Sequence, residues 1–209
     1  MTWQRSSSAR ALAERYDSLR FDEVHEALLS FLPVRGTHVL DVGAGSGRDA
    51  LALARIGYNV VAVEPTSALR QHAQAVDLEG VVDWVDDRLP GLSKLKGRGP
   101  IGYGFILCSA VLMHVPPDEL VESFASLAII LEPGGVLAIS VRPPLSGEPK
   151  SVFHRHDAGT LRAAASAANL SLISEQVVDD VRRPSIHWRT MVFRAPHNEG
   201  CGETTSVIR

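Results

Sequence analysis

The sequence predicts an α/β fold: a mostly parallel, doubly wound sheet with helices on both faces. Three observations lead there. Residues 38–64, HVLDVGAGSGRDALALARIGYNVVAVE, read as strand, glycine turn, helix, turn and strand, the βαβ unit whose two strands lie parallel in one sheet. Downstream, short apolar runs alternate with segments of helical period. The 209 residues, 45% hydrophobic and 22% charged, suit one ordinary globular domain with a substantial core.

The elements follow in order. Residues 1–9 are polar and Ser-rich and form a lead-in. From Ala9 to Leu32 the period is helical, with Leu12, Tyr16 and Leu19, then Val24, Leu28 and Leu32, at helical spacing and a break around Ser18–Asp22. Pro33 and Gly36 end this part. Residues 1–33 precede the first strand and are free to cover a ligand cleft as a helical lid. The core spans 34–195 and the polar tail 196–209. Val39, Leu40 and Val42 form the first strand, the turn Gly43-Ala44-Gly45-Ser46-Gly47 follows, and Arg48 to Ile56, rich in Ala and Leu, is the crossover helix. Val60 to Val63 is the second strand and ends in Glu64.

Pro65-Thr66 or Ser67 starts the next helix, with Leu69, Ala73 and Val76 inward. Val81 to Val85 is the third strand and runs into Asp86-Asp87-Arg88-Leu89-Pro90. Residues 91–102 hold Lys94, Lys96 and Arg98 and read as a solvated loop. Tyr103 to Ser109 is the fourth strand, followed by the turn Ala110 to Pro117 with His114 in it. Asp118 to Leu131 is an amphipathic helix with Leu120, Phe124, Leu127, Ala128 and Leu131 on one face. Glu132-Pro133-Gly134-Gly135 is the turn to a fifth strand, Val136 to Val141. A Pro-rich loop, 142–155, leads to a last helix, His156 to Ala168. Leu170 to Val178 and His187 to Arg194 then pair antiparallel, one of them beside the fifth strand.

The glycine turn carries the chemistry. A dinucleotide fingerprint is G-x-G-x-x-G. Gly43 and Gly45 fit it, but the third glycine position holds Arg48. The pattern is Asp-x-Gly-x-Gly-x-Gly, opening at Asp41. It resembles the first motif of class I S-adenosylmethionine-dependent methyltransferases. Leu112–Pro116 after the fourth strand and Leu-x-Pro-Gly-Gly-x-Leu at 131–137 are similar to segments of the same family.

The resemblance implies a Rossmann-like seven-stranded sheet of order 3-2-1-4-5-7-6, with one antiparallel strand near the C-terminus. It implies S-adenosylmethionine as cofactor and a site made of Asp41, Gly43, Ala44, Gly45, Gly47 and Arg48. Glu64, with Pro65 beside it, is expected to hold the ribose. Asp87, or else Asp86, is expected to accept from the adenine amino group, since a carboxylate only accepts; the less favoured of the two serves as a cap or turn residue. Ser109 and Ala110 border the transferred methyl group. Tyr16 is a lid contact or a core aromatic, and Arg20 a contact or a solvated charge.

His114 is the expected general base, because neutral imidazole accepts a proton near pH 7; packing in the turn is its alternative. Arg142 could grip a substrate carboxylate bidentately. His154-Arg155-His156 lacks a third metal ligand, so an anion-contacting loop or a helix start is the better reading and no metal is expected. Trp188 reads as core.

Other functions recede. The net charge is −3 and no Lys/Arg block runs along the chain, which points away from nucleic acid and anionic membranes. Cys108 reads as a buried thiol, and Cys201 lies in the Gly-containing tail. No secretory leader or membrane-length apolar run is evident, so the expectation is a cytoplasmic protein, monomer or homodimer. Among methyltransferases, the Asn/Asp-Pro-Pro-aromatic segment of DNA amino-methyltransferases is replaced by Ser109-Ala110-Val111-Leu112, and the Pro-Cys pair and paired-Glu loop of other classes are missing. What remains is transfer of a methyl group to an O, N or S atom of a small-molecule acceptor. The alternative is a catalytically silent domain that binds the cofactor and regulates or scaffolds a partner.

Overall fold

A computed structural model describes residues 13–95 and 102–197. Lys96, Arg98, Leu12 and Cys201 lie outside them. The chain begins in a helical turn, α1 (13–17), then α2 (Phe21–Val24) and a 3-10 segment, Glu26–Phe31. The core follows as β1 (His38–Val42), α3 (Arg48–Ile56), β2 (Asn59–Val63), α4 (Ser67–Val76), β3 (Val82–Val85), β4 (Tyr103–Ser109), α5 (Leu120–Ile129), β5 (Leu131–Val141), α6 (Ala158–Ala167), β6 (Ser171–Asp179) and β7 (His187–Arg194).

The strands form one seven-stranded sheet of order β3-β2-β1-β4-β5-β7-β6. β3, β2, β1, β4 and β5 are parallel neighbours, and β7 runs antiparallel to both β5 and β6. This is the expected Rossmann-like topology. Strands covered on both faces explain the near-continuous apolar runs. Leu40, Val42, Val61, Ile106, Cys108 and Ile139 pack with Phe124 and Leu127 of α5 and Leu161 of α6. Val39, Val60, Phe105, Leu107 and Ala138 pack on the other face with Ala50 and Leu53 of α3 and with Phe21 and Leu28. Burial pushes the pKa of the Cys108 thiol up, with the Asp41 carboxylate adding to it.

Two expectations shift. Glu132–Gly135 is not a turn outside the sheet: it belongs to β5, and Tyr103 pairs with Leu131 before the register jumps to Phe105 with Val136. Gly134 has φ +77°, and a Cβ on Gly135 would lie 2.8 Å from the Glu132 carbonyl oxygen and 2.9 Å from that of Tyr103. Pro and glycine thus make a bulge that strand pairing absorbs. Val76, expected inward, is 42% exposed at the end of α4. There the chain turns into Asp77, whose carboxylate accepts from the N–H groups of Val81 and Val82 and from the Trp84 indole. No helix among the described residues is long and apolar enough to cross a membrane.

Candidate functional site

β1, β2 and β4 present their carboxyl ends side by side, where a doubly wound sheet reverses its winding and binds ligands. Asp41 points from β1 toward the α3 face and is 2% exposed. Its Oδ2 is buried without a hydrogen-bond partner. Burial raises its pKa well above the usual carboxylate range; Asp49 and Glu64 add to this, while Arg48 and the Ala50 N–H oppose it.

The turn that follows is built from backbone. The N–H groups of Gly43 and Ala44 donate to the Val63 carbonyl at 2.7 and 3.0 Å, which ties the turn to the end of β2. Gly43 has φ +72°, and a Cβ there would overlap Val111 Cγ2. At Gly47, φ +91°, a Cβ would meet Trp84 at 2.8 Å and Ala73 at 3.0 Å. Two of the glycines therefore answer to close packing as well as to backbone angle. The Gly45 N–H donates to Glu64 Oε2 at 2.9 Å, and the Thr66 N–H donates to Oε1 at 2.7 Å. Glu64 is 5% exposed, and each oxygen retains a lone pair for a further donor. Pro65 is exposed beside it. A Cβ on Gly45 would lie 3.7 Å from the Tyr16 ring, so the N-terminal segment reaches the turn. Burial raises the Tyr16 pKa, against the pull of Arg15, Arg48 and Arg142.

In the first turn of α3, Arg48 grips Asp49: Nε donates to Oδ1 and Nη2 to Oδ2, both at 2.7 Å. His25 Nε2 lies 3.0 Å from Asp49 Oδ2 on the other side. Burial works to raise the Asp49 pKa, but His25 and Arg48 outweigh it and hold it low. The sequence gives no sign of this network, because His25 and Asp49 are separated by the first strand and the glycine turn.

The two acids after β3 divide their work. The Asp87 carboxylate accepts from the N–H groups of Arg88 at 2.8 Å, Lys94 at 2.6 Å and Leu95 at 3.0 Å. It closes the 88–95 loop. Asp86 is half exposed and lies 3.3 Å from Arg70 and 3.2 Å from Lys94; the Lys94 contact, then Arg70, lowers its pKa. The preferred acid is committed to backbone, and the second choice keeps an accessible carboxylate.

At the end of β4, Ser109 Oγ lies 2.9 Å from Ser140 Oγ, and the Ala110 N–H donates to the Ser140 carbonyl at 2.9 Å with φ +60° at Ala110. His114 ends a 3-10 turn, Leu112–His114. Its Nδ1 is 3.0 Å from the Val152 carbonyl oxygen. A carbonyl only accepts, so Nδ1 carries the proton and Nε2 holds the lone pair. The Phe153 ring lies 4.6 Å from the imidazole. Loss of water around the charged form lowers the His114 pKa; Arg142 and His154 also lower it, and the Val152 hydrogen bond and Glu148 oppose.

Arg142 is not open to a substrate carboxylate. Its Nη1 and Nη2 donate to Glu148 at 2.8 and 2.6 Å, and its guanidinium lies 5.4 Å from the Phe153 ring centroid and 5.7 Å from that of Trp188. Trp188 is half-buried, and its indole N–H donates to Asp180 at 3.0 Å. His154 and His156 have ring centroids 6.4 Å apart, His156 Nε2 is 3.0 Å from the Val115 carbonyl oxygen, and no metal-holding group of acids, His and Cys occurs among the described residues. Arg20 is exposed and paired with Asp22.

The sequence profile of a family described as "Methyltransferase domain" matches residues 12–198. The chain belongs to this methyltransferase family. Over 110 residues it is 37% identical to a ubiquinone biosynthesis O-methyltransferase of Xylella fastidiosa, 52% of this chain and 43% of that protein. The chain thus matches less than half the length of that curated relative. Its fold is similar to that of a putative S-adenosylmethionine-dependent methyltransferase from Listeria monocytogenes, with TM-score 0.69 and 16% identity over 84% of this chain and 98% of that one. It is also similar to the 1,6-didemethyltoxoflavin-N1-methyltransferase of Burkholderia thailandensis with bound S-adenosylhomocysteine, with TM-score 0.63 and 22% identity over 93% and 81%.

The Burkholderia thailandensis neighbour holds S-adenosylhomocysteine, and the residues here would fit a ligand of that kind. An orphaned buried carboxylate oxygen, a turn where a side chain at Gly43 would collide, and an acid with spare lone pairs at the end of β2 make a cradle for a ligand rich in donors.

Proposed function

We propose that the chain transfers a methyl group from S-adenosylmethionine to an O, N or S atom of a small-molecule acceptor by in-line displacement. The observation that carries this is the convergence of the Gly43–Gly47 turn, Glu64 and the end of β4 at the carboxyl end of the sheet, where Val111 packs on Gly43 three residues before His114. The name of the curated O-methyltransferase relative favours oxygen among the three.

When bound, the cofactor supplies an electrophilic methyl group on a sulfonium and a neutral leaving group. This chain's residues do the rest. The free N–H groups at the start of α3 attract the carboxylate of the methionine part. Glu64 accepts from the ribose hydroxyls, and Asp86 accepts from the adenine amino group while Asp87 holds the loop beneath it. Asp41 holds the turn and α3 in place from below. Tyr16 closes over Gly45 and keeps water out. Ser109 and Ala110 border the methyl group, and His114 Nε2 takes the proton of an alcohol or phenol. Alignment alone removes of order 7–11 kcal/mol in the best intramolecular cases, and a positioned base adds typically about 10²–10⁴-fold.

The test is transfer of label from methyl-labelled S-adenosylmethionine to a panel of phenols, alcohols, amines and thiols. A labelled small-molecule product is expected. Binding of S-adenosylhomocysteine with no transfer to any member would favour a silent, regulatory domain.

A further inference from the structure

Between β5 and α6 the chain does not hang free. It folds down on the turn that carries His114. The Leu145 N–H donates to Glu148 Oε2 at 2.7 Å, and the Val152 and Phe153 N–H groups both donate to the Pro149 carbonyl at 3.0 Å. The His154 N–H donates to the Met113 carbonyl at 2.7 Å. The loop therefore has an internal fold and a seam along residues 113–115, where His114 and His156 add their own contacts. Its other attachment is the bidentate pair from Glu148 to Arg142 at the end of β5. The Arg142 side chain is 7% exposed and that of Glu148 20%, so the guanidinium is buried while the carboxylate keeps partial contact with water. Phe153 touches both ends of this arrangement, with the Arg142 guanidinium 5.4 Å and the His114 ring 4.6 Å from its ring centroid.

We infer that the Arg142–Glu148 pair is a positioning device for His114: it holds the loop so that the Val152 carbonyl selects the Nδ1–H tautomer and leaves Nε2 bare. The partner of one ring nitrogen decides the role of the other. Val152 supplies that partner through its backbone, so no side chain at 152 encodes it; the pair fixes the loop from the β5 side, as the His154 N–H to Met113 carbonyl bond does from the other. Glu148 does not touch the reacting atoms and acts only through His114. This inference rests on the proposed role of His114 in methyl transfer, but the tautomer is a property of the protein alone.

The experiment is long-range ¹H–¹⁵N NMR of the histidine rings in the full chain, without acceptor, at a pH where His114 is neutral. His114→Gln assigns the signals. In the wild type His114 is expected as Nδ1–H. In Glu148→Ala the ring is expected to return to the Nε2–H form that free imidazole side chains prefer, a change of roughly tenfold in the tautomer ratio, the scale one hydrogen bond sets. Binding of S-adenosylhomocysteine is expected to be unchanged in that variant. If Glu148→Ala does not fold, Glu148→Gln, which keeps the shape and loses the charge-assisted fork, gives the same readout with a smaller shift. A wild-type ring in the Nε2–H form, or Nδ1–H persisting in the folded variant, overturns the inference. Either result leaves the methyl-transfer reading standing, and that reading's failure in the label-transfer assay would leave the tautomer result intact.

Discussion

His114 Nδ1 is held by the Val152 carbonyl, and the proposed mechanism gives Nε2 the task of accepting a proton. With an alcohol or phenol acceptor, His114→Ala lowers turnover by about 10²-fold or more. Because desolvation lowers the His114 pKa, the base is already neutral below the ordinary histidine value of about 6.5. The wild-type rate should therefore rise with pH along a limb centred below that value and level off above it. His114→Ala should lose that limb, as read from kcat against pH. At Gly43 the two demands add: φ is +72° and a Cβ would overlap Val111. Gly43→Ala is expected to cost about 1–2 kcal/mol from the left-handed backbone alone, measured by urea unfolding, with weaker cofactor binding on top. The glycines, Asp41, Glu64 and His114 could be picked out as candidates from the sequence by residue type and spacing. The partners that tune them could not: Val111 against Gly43, His25 on Asp49, Glu148 on Arg142 and Phe153 on His114 meet only through tertiary packing.

Strands and helices followed from periodicity where one face or both are buried, and boundaries moved where local chemistry competed. α3 starts at Arg48 as expected because Gly47 ends the turn in a left-handed conformation. β5 starts at Leu131 rather than Val136, since pairing with Tyr103 draws the Pro-Gly-Gly segment into the sheet as a bulge. The loop after β3 is the least legible. Two adjacent aspartates look alike in sequence, yet one binds backbone and the other faces solvent. A paired substitution separates them. Asp87→Ala strips three backbone N–H groups of their acceptor and should destabilise the fold by about 1–3 kcal/mol or more, seen as a lower urea midpoint. Asp86→Ala should leave the midpoint unchanged and weaken cofactor binding. The reverse pattern would reassign the two acids.

At the scale of the whole molecule, sheet order, winding and glycine turn agree on one ligand edge. The order 3-2-1-4-5-7-6 came from the resemblance carried by Asp41–Gly47, not from strand periodicity alone, because spacing cannot say which late strand inserts beside β5. A ligand that binds only the folded state stabilises it by mass action: S-adenosylhomocysteine at 100 times its Kd should add about 2.7 kcal/mol to unfolding. On the proposed reading, the carboxyl end of β1, the glycine turn and Glu64 hold S-adenosylmethionine. Isothermal titration of the wild type and of Glu64→Ala with S-adenosylhomocysteine, and with NAD as control, tests it most directly. The expected result is one site for S-adenosylhomocysteine in the wild type, none for NAD, and an affinity roughly tenfold or more weaker in Glu64→Ala, the scale of one or two lost hydrogen bonds. Binding of NAD alone, or equal affinity in the folded variant, would contradict it.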